Sequence, residues 1–168
     1  MKRMVLSILV ENTSGVLSRV AGLFSRRGYN IDSLTVGETQ DPAISRMTVL
    51  AHGDDQILDQ IRKQLQKLED VIEIIELAPG ESVTRELILV KVSANDEDRQ
   101  NIISIANIFR ANIVDVAIES LMIELTGNQA KLDAFINLLK PYNIIELVRT
   151  GITGLERGSG DIQEFTFD

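Results

Sequence analysis

Hydrophobic and polar positions along the chain spell out an alternation of short strands and helices. Met4 to Val10 is apolar and rich in β-branched residues, the pattern of a strand. Val16, Leu17, Val20, Leu23 and Phe24 then recur with helical spacing. Arg26-Arg27-Gly28 supplies basic residues and a glycine, a helix stop. From Ile31 to Glu38, Ile31, Ser33, Thr35 and Gly37 alternate imperfectly with Asp32, Leu34, Val36 and Glu38, a strand. Thr39-Gln40-Asp41-Pro42 is a turn, and Ile44 to Ala51 a second strand that completes a hairpin. Gly53-Asp54-Asp55 caps a helix whose face is Ile57, Leu58, Ile61, Leu65 and Leu68. Val71 to Leu77 is a strand, and Ala78-Pro79-Gly80-Glu81-Ser82 reads as a linker.

The second half repeats the order. A strand over 87–92 precedes a helix capped by Asn95 or Asp96, with Ile102, Ile103, Ala106 and Phe109 on its face. A hairpin of 113–118 and 121–125 follows. Next comes a helix capped by Asn128, with Leu132, Phe135, Ile136 and Leu139 inward and Pro141 at its end. A strand over 144–148 closes the unit. Each half reads β-α-β-β-α-β, the split βαβ or ferredoxin-like arrangement. The pattern therefore predicts an α+β chain of two ferredoxin-like domains. Their predicted bounds are residues 1–78 and 84–158, with a linker at 79–83. Gly151, Gly154, Gly158 and Gly160 lead into an acidic tail over 159–168, which is expected to fray or to dock on a partner.

Between the first strand and helix lies Asn12-Thr13-Ser14-Gly15. Small polar residues and a glycine at such a joint serve as a helix cap. They also suit an anion site, because the first backbone N–H groups of a helix have no partner in the helix. The joint alone leaves both roles open.

Composition narrows the function more by exclusion. The chain has 168 residues, no Cys and one His, so a disulfide framework, a thiolate metal site and a Cys nucleophile are ruled out. The net charge is −8, and aromatics are 4%. Nothing makes the basic footprint or the stacking platform of a nucleic-acid binder. No apolar run reaches the length of a membrane span, and the N-terminus lacks a signal-peptide cleavage site, so the expectation is a cytoplasmic protein. Phosphate-loop, dinucleotide, zinc-protease and serine-hydrolase signatures are missing. His52 alone, without an orienting partner and a nucleophile, reads as a surface or packing residue. Little catalytic equipment and two small sheet domains point to binding or regulation.

Several stretches resemble a known family. Leu6 to Asn12 followed by Gly15-Val16-Leu17-Ser18-Arg19-Val20 is similar to the start of an ACT domain, a ferredoxin-like module that binds amino acids. Gly22 to Gly37, Asp41-Pro42 with Ser45 to Thr48, and Arg85 to Val92 resemble the small regulatory subunit of acetolactate synthase (acetohydroxyacid synthase). Ile108 to Val116, Glu124 to Gly127, Lys131 to Phe135 and Arg149-Thr150-Gly151 extend the resemblance in order. Ala117-Ile118-Glu119 departs from it, standing where a Thr-Pro pair is common.

The resemblance implies a non-catalytic subunit. Thiamin diphosphate, flavin (FAD) and magnesium would sit on the large catalytic subunit, whose activity the small one raises. The resemblance also implies homodimerisation through the ACT domains, with feedback inhibition by a branched-chain amino acid, usually valine, bound at the dimer interface. Carried onto this chain, Asn12 would meet the effector's polar end. Backbone N–H groups around Gly15 and Val16 would take its carboxylate. Leu17 and Ser18 would support the pocket, and Asn30 and Ile31 of the neighbouring subunit would complete it. The alternative is a free-standing ACT-type sensor that acts on another enzyme or regulator.

Overall fold

The computed structural model describes residues 2–158; the predicted tail at 159–168 lies outside the described residues. The described residues divide into two units, one of 2–83 together with 152–158, the other Thr84–Gly151. Sequence pattern grouped 152–158 with the second domain.

The first unit runs β1 (Lys2–Glu11), α1 (Val16–Arg27), β2 (Asn30–Glu38), β3 (Ile44–Gly53), α2 (Asp55–Gln66) and β4 (Val71–Glu76). Its four strands form an antiparallel sheet in the order β2-β3-β1-β4, which leaves β2 and β4 as edges. Met4, Leu6, Ile8 and Val10 of β1 and Met47, Val49 and Ala51 of β3 face one side. There they pack against Val16, Val20, Leu23 and Phe24 of α1 and Leu58, Ile61 and Leu65 of α2. Strand period 2 meets helix period 3.6 on a single apolar layer, which is why the pattern is legible. Phe24 and Tyr29 meet edge to face with centroids 6.1 Å apart.

The second unit repeats this plan with β5 (Ser82–Ser93), α3 (Asp96–Ile108), β6 (Asn112–Val116), β7 (Ser120–Gly127), α4 (Gln129–Leu139) and β8 (Ile144–Arg149). The strand order is β6-β7-β5-β8, the same as in the first sheet. Its core joins Ile88, Val90 and Val92 of β5 to Ile102 and Ala106 of α3 and to Leu132, Phe135 and Leu139 of α4. Both predicted ferredoxin-like units are thus present. The predicted linker ends earlier than expected, because Ser82 and Val83 already belong to β5.

The two units share irregularities as well as regular elements. A β-bulge interrupts β2 between Ile31 and Ser33, and another interrupts β6 between Ile113 and Asp115. Further bulges oppose Leu9 and Val10 of β1, and Lys91 and Val92 of β5. The extra residue in β2 is Asp32. It shifts the pleat by one, so that Ile31 and Leu34 both reach the core. That shift accounts for the imperfect alternation in the sequence.

One strand has no counterpart in the sequence reading: β9 (Thr153–Glu156) pairs with β5. Just before it, Ile152 lies across β2. The Thr35 hydroxyl donates to the Ile152 carbonyl, and the Ile152 N–H donates to Ser33 Oγ, each at 3.3 Å.

Candidate functional site

The joint between β1 and α1 is built around Gly15. Its φ of 87° is left-handed, a conformation that favours glycine, and it stands at the N-cap of α1. A Cβ there would lie 2.9 Å from Arg19 Nη1. The other three α-helices are capped by side chains: Asp54 accepts from Ile57 N–H, Asn95 from Asp98 N–H, and Asn128 from Lys131 N–H. No side chain caps α1. The Val16 N–H makes a long 3.5 Å bond to the Thr13 carbonyl, and the N–H groups of Leu17 and Ser18 have no acceptor among the described residues. Gly15 thus occupies the N-cap position, but no side chain of the joint caps the helix.

Asn12 is pinned at the rim. Its backbone N–H donates to the Ala43 carbonyl at 2.8 Å, which ties the joint to the β2–β3 turn. Its Nδ2 donates to the Pro42 carbonyl at 2.8 Å and to Glu38 Oε1 at 3.2 Å. Both amide hydrogens are thereby spent, and Oδ1 is left as an acceptor aimed by the other end of the group.

Leu17 departs from the expected core face. Val16 is 4% exposed and seals the core, whereas Leu17 is 47% exposed beside the joint, an apolar side chain with no core role. Ser18 is exposed as well.

Asn30 and Ile31 lie elsewhere in the unit. Asn30 pairs in register with His52 and Ile31 with Ala51, at the far end of β3 from Ala43 and Asn12. The structure brings Asn12, Gly15, Val16, Leu17 and Ser18 together and leaves Asn30 and Ile31 apart from them. Beside Asn30, His52 Nδ1 meets Asp32 Oδ2 at 2.8 Å, so the lone histidine is a paired surface residue.

One residue at the joint escaped the sequence reading. Arg19 Nε donates to Asp70 Oδ2 at 2.5 Å, and Nη2 donates to the Ser14 carbonyl at 3.5 Å. The hydrogen bond to Asp70 raises the Arg19 pKa above its usual value. Spacing carried no signal for this contact, because the partners are far apart in sequence and Arg19 looks like any solvated helix residue.

The matching joint in the second unit is closed. Asn95 caps α3, and Asp96, Glu97 and Asp98 fill its first turn. Arg99 Nη2 donates to the carbonyls of Ala94, Ala117 and Ile118, tying the joint to the β6–β7 hairpin. A pocket of about 430 Å³ lies on the second unit's sheet, lined by Leu89, Lys91, Met122, Glu146, Leu147 and Val148. Among the described residues no group of three or more His, Cys, Asp or Glu is placed to hold a metal. No helix there is long and apolar enough to cross a membrane.

Comparison with known proteins covers nearly the whole chain. Residues 6–73 match the AHAS small subunit-like ACT domain, and residues 85–158 match the family described as the small subunit of acetolactate synthase. A probable acetolactate synthase small subunit of Methanothermobacter thermautotrophicus is 54% identical over 92% of this chain and 93% of its own. The acetolactate synthase isozyme 3 small subunit of Escherichia coli is 48% identical, over 93% of this chain and 96% of its own. Among solved structures, the acetolactate synthase small subunit of Thermotoga maritima superposes with a TM-score of 0.87 at 43% identity. That match covers 95% of this chain and 99% of the Thermotoga chain.

Proposed function

The chain belongs to the family of acetolactate synthase small subunits, with an ACT domain as its N-terminal half, and from that premise we propose that it is an amino-acid-sensing regulatory subunit. It raises the activity of a large catalytic subunit and confers feedback inhibition by valine or a related branched-chain amino acid. Thiamin diphosphate, FAD and magnesium belong to that catalytic partner in this reading.

The observation that carries the reading is the uncapped start of α1. Its free N–H groups at Leu17 and Ser18 lie within the helix's positive end and suit a carboxylate. Asn12 Oδ1 is the acceptor for the ammonium group. Exposed Leu17 gives part of an apolar wall for a branched side chain.

The remaining wall comes from a second copy. β2 is a free edge of the first sheet, and edge strands pair readily with another chain. When β2 pairs with itself about a two-fold axis, the strands run antiparallel, so the start of one approaches the end of the other. The end of β2 is Glu38, which holds Asn12. Asn30 and Ile31 of the second copy thereby arrive beside the joint that they cannot reach within their own chain. The site is completed only in the homodimer. Because the effector lies between two copies, it biases their arrangement, and the catalytic partner reads that bias.

Calorimetric titration of the chain with valine, leucine and isoleucine, followed by assay of a large subunit with and without it, tests the proposal. The expected outcome is saturable binding of at least one of them, higher synthase activity with the chain added, and loss of that gain on adding the effector. Binding without any change in synthase activity favours a free-standing sensor instead. Absence of binding of all three at millimolar concentration overturns the branched-chain effector reading.

A further inference from the structure

We infer that Arg19, acting through Asp70, is a positioning residue of the effector site: the pair holds the β1–α1 joint in its ligand-ready shape from both sides. The inference rests on the reading of that joint as the effector site.

Asp70 engages the chain on either side of the joint. Its backbone carbonyl accepts from Glu11 N–H at 2.9 Å, just before the joint. Its carboxylate accepts from Arg19 Nε at 2.5 Å, just after it. Arg19 also spans the joint itself. Nη2 reaches the Ser14 carbonyl at 3.5 Å, Nη1 lies 2.9 Å from the position of a Gly15 Cβ, and the Arg19 N–H donates to the Gly15 carbonyl at 3.0 Å. A forked, planar guanidinium can make these contacts at once, whereas a lysine ammonium is a single point charge.

Two consequences follow for a ligand. The joint has no side-chain cap to fix it, so the bridge supplies the preorganisation that a bound amino acid would otherwise have to impose. Charge is the other. Asp70 is an acid close to a site that receives a carboxylate, and Arg19 neutralises it. Removing Arg19 leaves that acid uncompensated and loosens Gly15 together.

Isothermal titration with valine, on the full chain and on Arg19→Lys, Arg19→Ala, Asp70→Asn and the Arg19→Ala/Asp70→Asn double variant, tests the inference. Amide hydrogen exchange over residues 12–18 is measured alongside, without ligand. Expected are an affinity loss of about tenfold or more for Arg19→Ala, a smaller loss for Arg19→Lys, and a double variant that binds no worse than Arg19→Ala, as coupled residues should. Exchange at the joint should quicken in Arg19→Ala while the effector-free melting temperature shifts by only a few degrees. A purely structural role would lower that temperature and leave affinity alone. Parent-like affinity in Arg19→Ala, or losses that simply add in the double variant, overturns the inference. Should the parent bind no branched-chain amino acid, the effector reading falls by itself. Exchange then decides the positioning role, and unchanged rates in Arg19→Ala overturn it.

Discussion

Asn12 and Asn30 stand at opposite ends of one sheet. Asn12 N–H bonds to Ala43, just before β3, and Asn30 pairs with His52, near the end of that 10-residue strand. At about 3.4 Å per residue the two are separated by roughly 30 Å. A ligand the size of an amino acid cannot touch both in one chain, so a site that uses both must draw on two copies.

Trans-complementation follows from that separation. Gly15→Asp and Asn30→Ala should each abolish valine binding when pure, since every site in either homodimer carries one lesion. Co-refolded together, they form mixed dimers in which one site pairs an intact Gly15 with an intact Asn30. Titration of the mixture should recover a fraction of the parent's capacity, and no recovery would show that the two residues do not share a site.

The conformation of Gly15 sets a second expectation. At φ 87° any L side chain is strained, and the Arg19 guanidinium occupies the space a Cβ would take. Gly15→Ala should cost about 1 kcal/mol or more in urea denaturation. The side chain also displaces Arg19 from the joint, so effector affinity should fall further than stability does. Gly28→Ala is a control, because Gly28 has φ 67° and open space around it. That variant should share the strain and keep the binding.

Much of this was legible in the chain, for a physical reason. Each core layer is made by one face of each element, and positions such as Met4, Leu6, Ile8 and Val10 repeat at strand period. The local polar joint, too, was visible as a run of small residues. What stayed hidden depends on distant residues or on geometry. The Asp32 bulge obscured the alternation of β2, and β9 lies among glycines between the last predicted strand and the tail, where no period-2 pattern marks it. Leu17 fitted the helical period yet faces out, 47% exposed, while its neighbour Val16 takes the core position of that turn. Arg19 bonds to Asp70, 51 positions away, and no local pattern marks that pairing.

Arg149 and Glu86 supply a stability prediction away from the site. Nε and Nη2 of Arg149 both donate to Glu86 Oε1, at 3.0 and 2.6 Å, and the Glu86 side chain is 3% exposed. Burial pulls the Arg149 pKa down, but hydrogen bonding and charge from Glu86, with Asp133, outweigh it and leave it raised. Arg149→Met strands a buried carboxylate and should cost about 3 kcal/mol by chemical denaturation. The matching inward position of β1 is Met4, buried and apolar. Adding Glu86→Met to Arg149→Met should therefore restore most of the loss, as apolar replacement of both partners of a buried pair commonly does. A double variant as unstable as the single one would show that packing, not the stranded charge, sets the cost.

The number of effector sites per chain follows from how differently the two units finish the same joint. In the first, α1 starts at Gly15 without a side-chain cap, and the Asn12 amide ties the joint to the β2–β3 turn while keeping Oδ1 open. In the second, Ala94 N–H bonds to Glu119 as Asn12 N–H does to Ala43, so the backbone plan is kept. Asn95 takes up an N–H of α3, however, and three acids crowd its first turn, where a ligand carboxylate would be repelled. Arg99 donates to three carbonyls at the joint and so takes up acceptors that an ammonium would need. Titration with valine should accordingly saturate at one molecule per chain, and Gly15→Asp should remove all of the heat. A residual isotherm in that variant, or two molecules per chain in the parent, would place a working site in the second unit.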